Sequence, residues 1–197
     1  LPSDEVSPED ATVVARLRQA GAILIGKTAM TELGLSPLGI NPKRPALRNP
    51  HHLERVAGGS STGSGIAAAL GLVPFAVGTD GGGSVRIPAA LCGVFGLKPT
   101  FGRVSRGGGQ LPGSLTHVGP IASSVLDLAH FLDAVAGPDA RDPTTLRAPA
   151  TPRSFAEATR RRVRGLTLGI DEHELRDAEP DVARAVEQSI KAIEDRR

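Results

Sequence analysis

Cysteine is almost absent from this 197-residue sequence: Cys92 stands alone, so no internal disulfide can close and no cysteine-based metal cluster can form. A reducing compartment is compatible with that usage. Long apolar runs are missing too. None approaches the roughly 20 residues that a membrane-spanning helix needs, and the first residues lack a basic segment followed by an apolar one. These absences point to a cytoplasmic chain with no membrane partner. Neither sign of charge is in excess: Lys plus Arg number 23 against 21 acidic residues, a net charge of +2. A field that weak argues against nucleic acid or an acidic lipid surface as a partner. The histidines at positions 51, 52, 117, 130 and 173 read as surface or hydrogen-bonded groups, so no metal site is expected.

What is present suits one globular core. Apolar residues make up 40% of the chain, enough for a single domain of this length. Ser7-Pro8-Glu9-Asp10 predicts a helix start with Ser7 as N-cap, with Val13, Val14 and Leu17 facing the core and Gly21 as the stop. Ala22 to Ile25 reads as a buried strand. Prolines at 37, 42, 45 and 50 make residues 34–59 a long irregular stretch, and loops of that length inside compact domains are usually functional. A small-residue helix over Gly65 to Leu70, a strand over Pro74 to Val77, an amphipathic helix over Val125 to Val135 and a last strand over Leu166 to Ile170 complete the pattern of an α/β fold. Arg141 to Arg162 reads as a surface connection. Val182, Ala185, Val186, Ser189, Ile190 and Ile193 keep helical spacing to the end with no stop signal, so the domain spanning 1–197 is expected to be incomplete at both ends.

Two glycine-rich turns flank the helix–strand unit in the middle: Gly58-Gly59-Ser60-Ser61-Thr62-Gly63-Ser64 and Gly78-Thr79-Asp80-Gly81-Gly82-Gly83-Ser84. Neither carries the lysine a phosphate-binding P-loop needs, no clean Gly-x-Gly-x-x-Gly occurs, and no Gly-x-Ser-x-Gly elbow follows a strand. Gly81-Gly82-Gly83-Ser84 instead suits an oxyanion-binding turn. Successive residues without Cβ let backbone N–H groups converge on one point, and a helix starting near the serine adds its positive end. A serine hydroxyl attacks only when a base takes its proton, and Ser60-Ser61 could bring the next hydroxyl of a relay alongside.

These two turns, the continuation Val85-Arg86-Ile87-Pro88-Ala89 and Gly93-Val94-Phe95-Gly96-Leu97-Lys98-Pro99-Thr100-Phe101-Gly102-Arg103-Val104-Ser105, Gly119-Pro120, and Gly21 to Thr28 together resemble the amidase-signature family over nearly the whole chain. Thr62 and Gly81 stand where that family usually has glycine and threonine. The resemblance implies an amidase-signature α/β fold, a mixed β-sheet core with helices on both faces, present here in part. It implies hydrolysis of a carboxylic amide through a serine, serine, lysine triad without metal or cofactor. Ser84 falls on the nucleophile and Ser60 on the bridging serine, preceded by a cis peptide bond, with their hydroxyls within hydrogen-bond reach. Gly81, Gly82, Gly83 and Ser84 would supply oxyanion N–H groups, Ser61 would support the relay, and Asp80 and Arg86 would brace the loop. The family's lysine lies in a Gly-x-Pro segment followed by Val-Lys-Asp, which has no counterpart from Leu1 onward, and Lys27 aligns with a structural lysine. The chain alone is therefore expected to be nearly inactive. The partner implied is a small-molecule amide, with a homodimer left open. The competing readings are the A-type component of a tRNA-dependent amidotransferase, which passes ammonia to a partner protein, and a truncated non-catalytic homologue.

Overall fold

Helix α1 spans Thr12–Gln19 and buries Val13 and Leu17. It starts later than predicted. Its N-cap is Ala11, whose side chain makes no cap bond, while the Ser7 hydroxyl donates to the Glu9 carbonyl at 2.8 Å; Ser7 is a turn residue and not the cap. The stop at Gly21 holds, closed by Gly21 N–H to Arg18 and Ala22 N–H to Leu17 carbonyls. Strand character at Ala22 to Ile25 does not hold. These residues join no ladder among the described residues, and Ile23 and Ile25 are 89% and 72% exposed. A β-branched run becomes a strand only where a neighbour takes up its N–H and C=O groups. The computed structural model describes residues 7–109, 111, 113–148, 150, 153–161, 165 and 167–194.

The proline-rich stretch contains a short antiparallel hairpin, β1 (Arg48–Asn49) with β2 (His52–Val56). Asn49 holds its turn by accepting from His51 N–H and ties it to the rest by donating to the Leu91 carbonyl. Helix α2 (Thr62–Ala69), strand β3 (Phe75–Asp80), helix α3 (Arg86–Leu91) and strand β4 (Phe95–Gly96) follow. Strand β5 (His117–Ala122) is central in a three-stranded antiparallel sheet of order β3-β5-β4. Gly119-Pro120 in its middle reads against a central strand, and none is predicted there. The proline is accommodated because its carbonyl still accepts from Leu97 N–H.

Period-2 alternation sorts the sheet faces. Phe75, Val77 and Val118 pack with Val13 and Leu17 of α1 and with Phe131, Leu132 and Val135 of α4 (Val125–Val135). Ile121 faces the other way, onto Ala68 of α2 and Val85 and Ala89 beside α3. Helices therefore cover both faces, as expected. The residues Asp80 and His117, cross-strand partners, share the α2–α3 face with Ile121.

Helix α4 begins where predicted because Ser124 caps it, accepting from Asp127 N–H at 3.1 Å. The connection after it holds a 3₁₀ turn (Pro143–Arg147) and helix α5 (Phe155–Ala158). All of this lies in one unit, Leu1–Thr159; a second, Arg160–Arg197, holds α6 (Glu172–Asp177) and α7 (Pro180–Glu194). Of the predicted last strand, Leu166 lies outside the described residues and 167–170 form no ladder. No helix among the described residues is long and apolar enough to cross a membrane.

One carboxylate pins the start of α1 to the turn after α4. Asp139 Oδ2 accepts from Thr12 Oγ1 and Ser105 Oγ, each at 2.5 Å, and Oδ1 accepts from Arg141 N–H at 2.9 Å. Burial alone would raise this carboxyl, but the Ser105 and Thr12 hydroxyls, the Arg141 N–H and the Arg141 charge outweigh it and pull it down from 3.8 to about 2. A depressed carboxylate contributes stability above its unfolded value and loses it as pH falls through the folded one. Asp139→Asn is expected to cost about 2 kcal/mol at pH 7. The gap to the parent should close between pH 4 and pH 2. Urea midpoints of the two proteins across that window check it; a gap that persists unchanged at pH 2 would contradict this role.

Candidate active site

The site is built where β3 runs out. Asp80 ends the strand fully buried, and the next residues wrap around its carboxylate. Oδ1 accepts from Gly83 N–H at 2.8 Å and Arg86 Nη2 at 2.9 Å. Oδ2 accepts from Val85 N–H at 3.1 Å and Arg86 Nε at 3.0 Å. Burial works to raise the Asp80 carboxyl, yet the Arg86 side chain and the Val85 and Gly83 N–H groups together hold it below the ordinary value. It is thus an anion around which a turn is wound, and Asp80 and Arg86 brace the loop as the resemblance implied.

This winding decides which way each amide of the turn points. Gly83 takes φ +131°, where an added Cβ would press on Ile87, and sends its N–H inward to Asp80. Of the four residues expected to supply oxyanion donors, Gly83 is therefore already engaged. The N–H groups of Gly81, Gly82 and Ser84 have no such bond, and Gly81 and Gly82 are exposed. Ser84 is half-buried and directly precedes the segment entering α3, where Ile87 N–H closes on the Gly83 carbonyl at 2.7 Å.

The other glycine turn lies against this one. Its Gly59–Ser60 peptide bond is cis. Ser61 N–H donates to the Ser84 carbonyl at 3.2 Å, a backbone bridge between the two serine loops. The Ser61 hydroxyl donates to the Thr79 carbonyl at 3.3 Å and accepts from Thr79 N–H at 3.1 Å, which clamps the loop to β3. That approach needs Gly78, because a Cβ there would sit 2.8 Å from the Ser61 hydroxyl. Ser60 is buried; its carbonyl accepts from Thr31 N–H at 3.2 Å and its hydroxyl lies against Gly34. The Ser60 and Ser84 hydroxyls sit on adjoining loops and make no hydrogen bond to each other.

Four lysines fall among the described residues, and none bonds to either serine. Lys27 is exposed, Lys43 pairs with Glu32 at 2.9 Å, and Lys191 lies on α7. Lys98 Nζ donates to the Pro99 carbonyl at 3.2 Å and meets His117 Nε2 at 3.4 Å. Thr31 and Gly34, which enclose Ser60, were not singled out in the sequence; the proline-rich run beginning at residue 34 was the nearest signal.

The amidase family model matches residues 2–197. The A-type component of a glutamyl-tRNA(Gln) amidotransferase from Thermus thermophilus is 48% identical over 189 residues, which cover 95% of this chain and 40% of that protein. Among solved structures, a chain of an inhibitor-bound vestigial protein complex, described as revealing the evolutionary origins of an s-triazine catabolic enzyme, superposes with a TM-score of 0.74 at 45% identity, covering 80% of this chain and 34% of the other. A 6-aminohexanoate cyclic dimer hydrolase complexed with substrate gives 0.72 at 43%, covering 78% and 32%. The chain thus spans less than half the length of these relatives.

Proposed function

Because the chain belongs to the amidase family, we propose that it forms the nucleophile-bearing part of an enzyme that hydrolyses a carboxylic amide through an acyl-serine. The observation that carries this reading is the turn wound on Asp80, which leaves the Gly81, Gly82 and Ser84 N–H groups free beside the Ser84 hydroxyl. Ser84 Oγ attacks the amide carbon, and its proton passes through Ser60 to a base. Negative charge gathers on the carbonyl oxygen, facing amides already oriented to receive it; each such donor is worth about 10²–10³ in kcat. The C–N bond then breaks, the departing nitrogen takes the proton, and water returns along the same path to release the acid and restore Ser84. Gly83 serves this indirectly, by fixing the turn, and Ser61 by holding the two loops together.

The base is a lysine contributed by the remaining length that the relatives have, since no described lysine approaches Ser60. A protein of that length is expected to release ammonia from simple amides. The 197-residue chain alone should keep only the electrostatic residue of catalysis, about 10³–10⁴ over water at most. Side-by-side ammonia assays check this. Equal turnover from the short chain, lost on Lys27→Ala, would make Lys27 the base.

A second reading has its own support in the amidotransferase relative. On that reading the same Ser84 chemistry supplies ammonia to a partner protein. Retention of a B-type component through purification would favour it.

A further inference from the structure

Ser60 is 1% exposed, and its hydroxyl makes no hydrogen bond among the described residues. A buried hydroxyl without a partner calls for an explanation. What borders it is the turn at residues 31–35. Gly34 takes φ +70° there, and a Cβ added to it would meet, outside the turn's own atoms, only Ser60 Oγ and Met30 Cε within 4 Å, each at 3.5 Å. Those are ordinary contacts, so this position has room for one carbon that touches both the serine hydroxyl and a thioether methyl.

The backbone around that position is tied down. Thr31 N–H donates to the Ser60 carbonyl at 3.2 Å, and Gly34 N–H to the Thr31 carbonyl at 3.0 Å. Gly63 N–H donates to the Ala29 carbonyl at 2.8 Å, and Asn41 Nδ2 to the Met30 carbonyl at 3.4 Å. Gly34 is half-buried and Met30 is 47% exposed, so the position lies near the surface.

On the mechanism above, the proton held by the relay goes to the departing nitrogen, which therefore comes within hydrogen-bond reach of the Ser60 hydroxyl. Such a nitrogen lies about 2.9 Å from the oxygen, and an N–C bond of about 1.46 Å then sets the first carbon of a nitrogen substituent about 3.5–3.7 Å from it. The position above Gly34, at 3.5 Å, falls at that distance. We infer that Gly34 and Met30 are specificity-determining residues that gauge the substituent on the amide nitrogen. This rests on the amidase reading above and names its substrate class: primary amides, and amides with a single methyl group on nitrogen. Gly34, without a side chain, leaves space for the first carbon, and the Met30 methyl, in contact with the same position, blocks a carbon that branches there.

The test uses three butyramides that share the acyl group and differ on nitrogen: unsubstituted, N-methyl and N-isopropyl. Butyrate release by a protein of the length the relatives have is read as a ratio of kcat/KM between two substrates, so a general loss of activity cancels. Met30→Ala should raise the N-isopropyl-to-N-methyl ratio by about tenfold or more, since one methyl group in an apolar pocket is worth that much. Gly34→Ala should lower the N-methyl-to-unsubstituted ratio by about tenfold or more, because its Cβ takes the place of the N-methyl carbon. Met30→Gln, of nearly the same length, should keep the parent ratios. An unchanged N-isopropyl-to-N-methyl ratio in a folded Met30→Ala protein would overturn the gauge and leave the reaction standing. It decides the matter even where Gly34→Ala, at a positive φ, does not fold. If the parent turns over no amide, the reaction falls and binding decides the gauge. Met30 is the only methionine of the 197-residue chain, so a methyl-¹³C label gives one resonance. A saturable shift with N-methylbutyramide, with affinity about tenfold or more weaker for N-isopropylbutyramide, would keep the gauge. No shift, or equal affinities, would overturn it along with the reaction.

Discussion

Ser84→Ala, made in a protein of the length the relatives have, is expected to lower amide turnover by about 10⁴-fold or more, as loss of the nucleophile does in other acyl-serine hydrolases. On the proposed mechanism this hydroxyl becomes the acylated atom, and Ser61 Oγ cannot replace it because it is committed to the Thr79 backbone on both its donor and its acceptor side. The same substitution should leave stability within about 0.5 kcal/mol of the parent. Ser84 Oγ makes no hydrogen bond among the described residues, the residue is only half-buried, and the bridge to Ser61 uses its carbonyl, which alanine keeps. Ser60→Ala should reduce turnover less completely, because a water can stand in for a bridging hydroxyl. Rates of ammonia release together with urea midpoints check both statements. Near-normal turnover by a folded Ser84→Ala protein would move the nucleophile elsewhere.

The motif-bearing part of the chain was legible because its glycines and hydroxyls are themselves the local structure. Both turns follow from residue types in a fixed order, while the cis bond before Ser60 and the bracing by Asp80 and Arg86 were implied by the family resemblance. The amphipathic helix α4 was legible from its period, which puts Val125, Leu128, Ala129 and Leu132 on one face; the last three are buried, while Val125 at the first turn is exposed. What failed depended on partners distant in sequence. Ala22 to Ile25 has strand composition, but whether it pairs is decided by another segment. Strand β5 hides a Gly-Pro pair that a central position tolerates only because Pro120 is needed as an acceptor and not as a donor. The inward rotation of the Gly83 amide is set by where Asp80 sits beneath it, and glycine, allowing either sense, does not announce which it takes. The Lys98–His117 pair becomes visible only once the register of β3 on β5 sets His117 opposite Asp80.

That dependence on Asp80 makes it the residue whose loss should damage both fold and chemistry. Asp80→Asn keeps shape and removes charge, yet no orientation of the amide satisfies the site. Oδ1 faces Gly83 N–H and Arg86 Nη2, while Oδ2 faces Val85 N–H and Arg86 Nε, so whichever side carries the new NH₂ group meets donors. The Arg86 side chain is 52% exposed, so its share of the loss is softened by solvent, and the two buried backbone amides dominate. A destabilisation of about 2–4 kcal/mol at pH 7 is expected. Its pH dependence follows from the depressed carboxyl: the parent's advantage is full above 3.8 and shrinks as pH falls through the lower folded value, while the Asn protein lacks that slope. Turnover should fall as well, by about 10²-fold or more, because freeing the Gly83 amide lets the turn relax and displaces the Ser84 hydroxyl and the proposed Gly81, Gly82 and Ser84 donors relative to one another. Arg86→Gln is the control. It removes the exposed half of the ion pair but keeps Asp80 with its backbone donors, and should cost less than about 1 kcal/mol. Urea midpoints from pH 7 down to pH 3 and ammonia release for the three proteins decide the matter. An Asp80→Asn protein that matches the parent in both would show that the turn holds its shape without the anion, and the oxyanion reading of Gly81, Gly82 and Ser84 would lose its foundation.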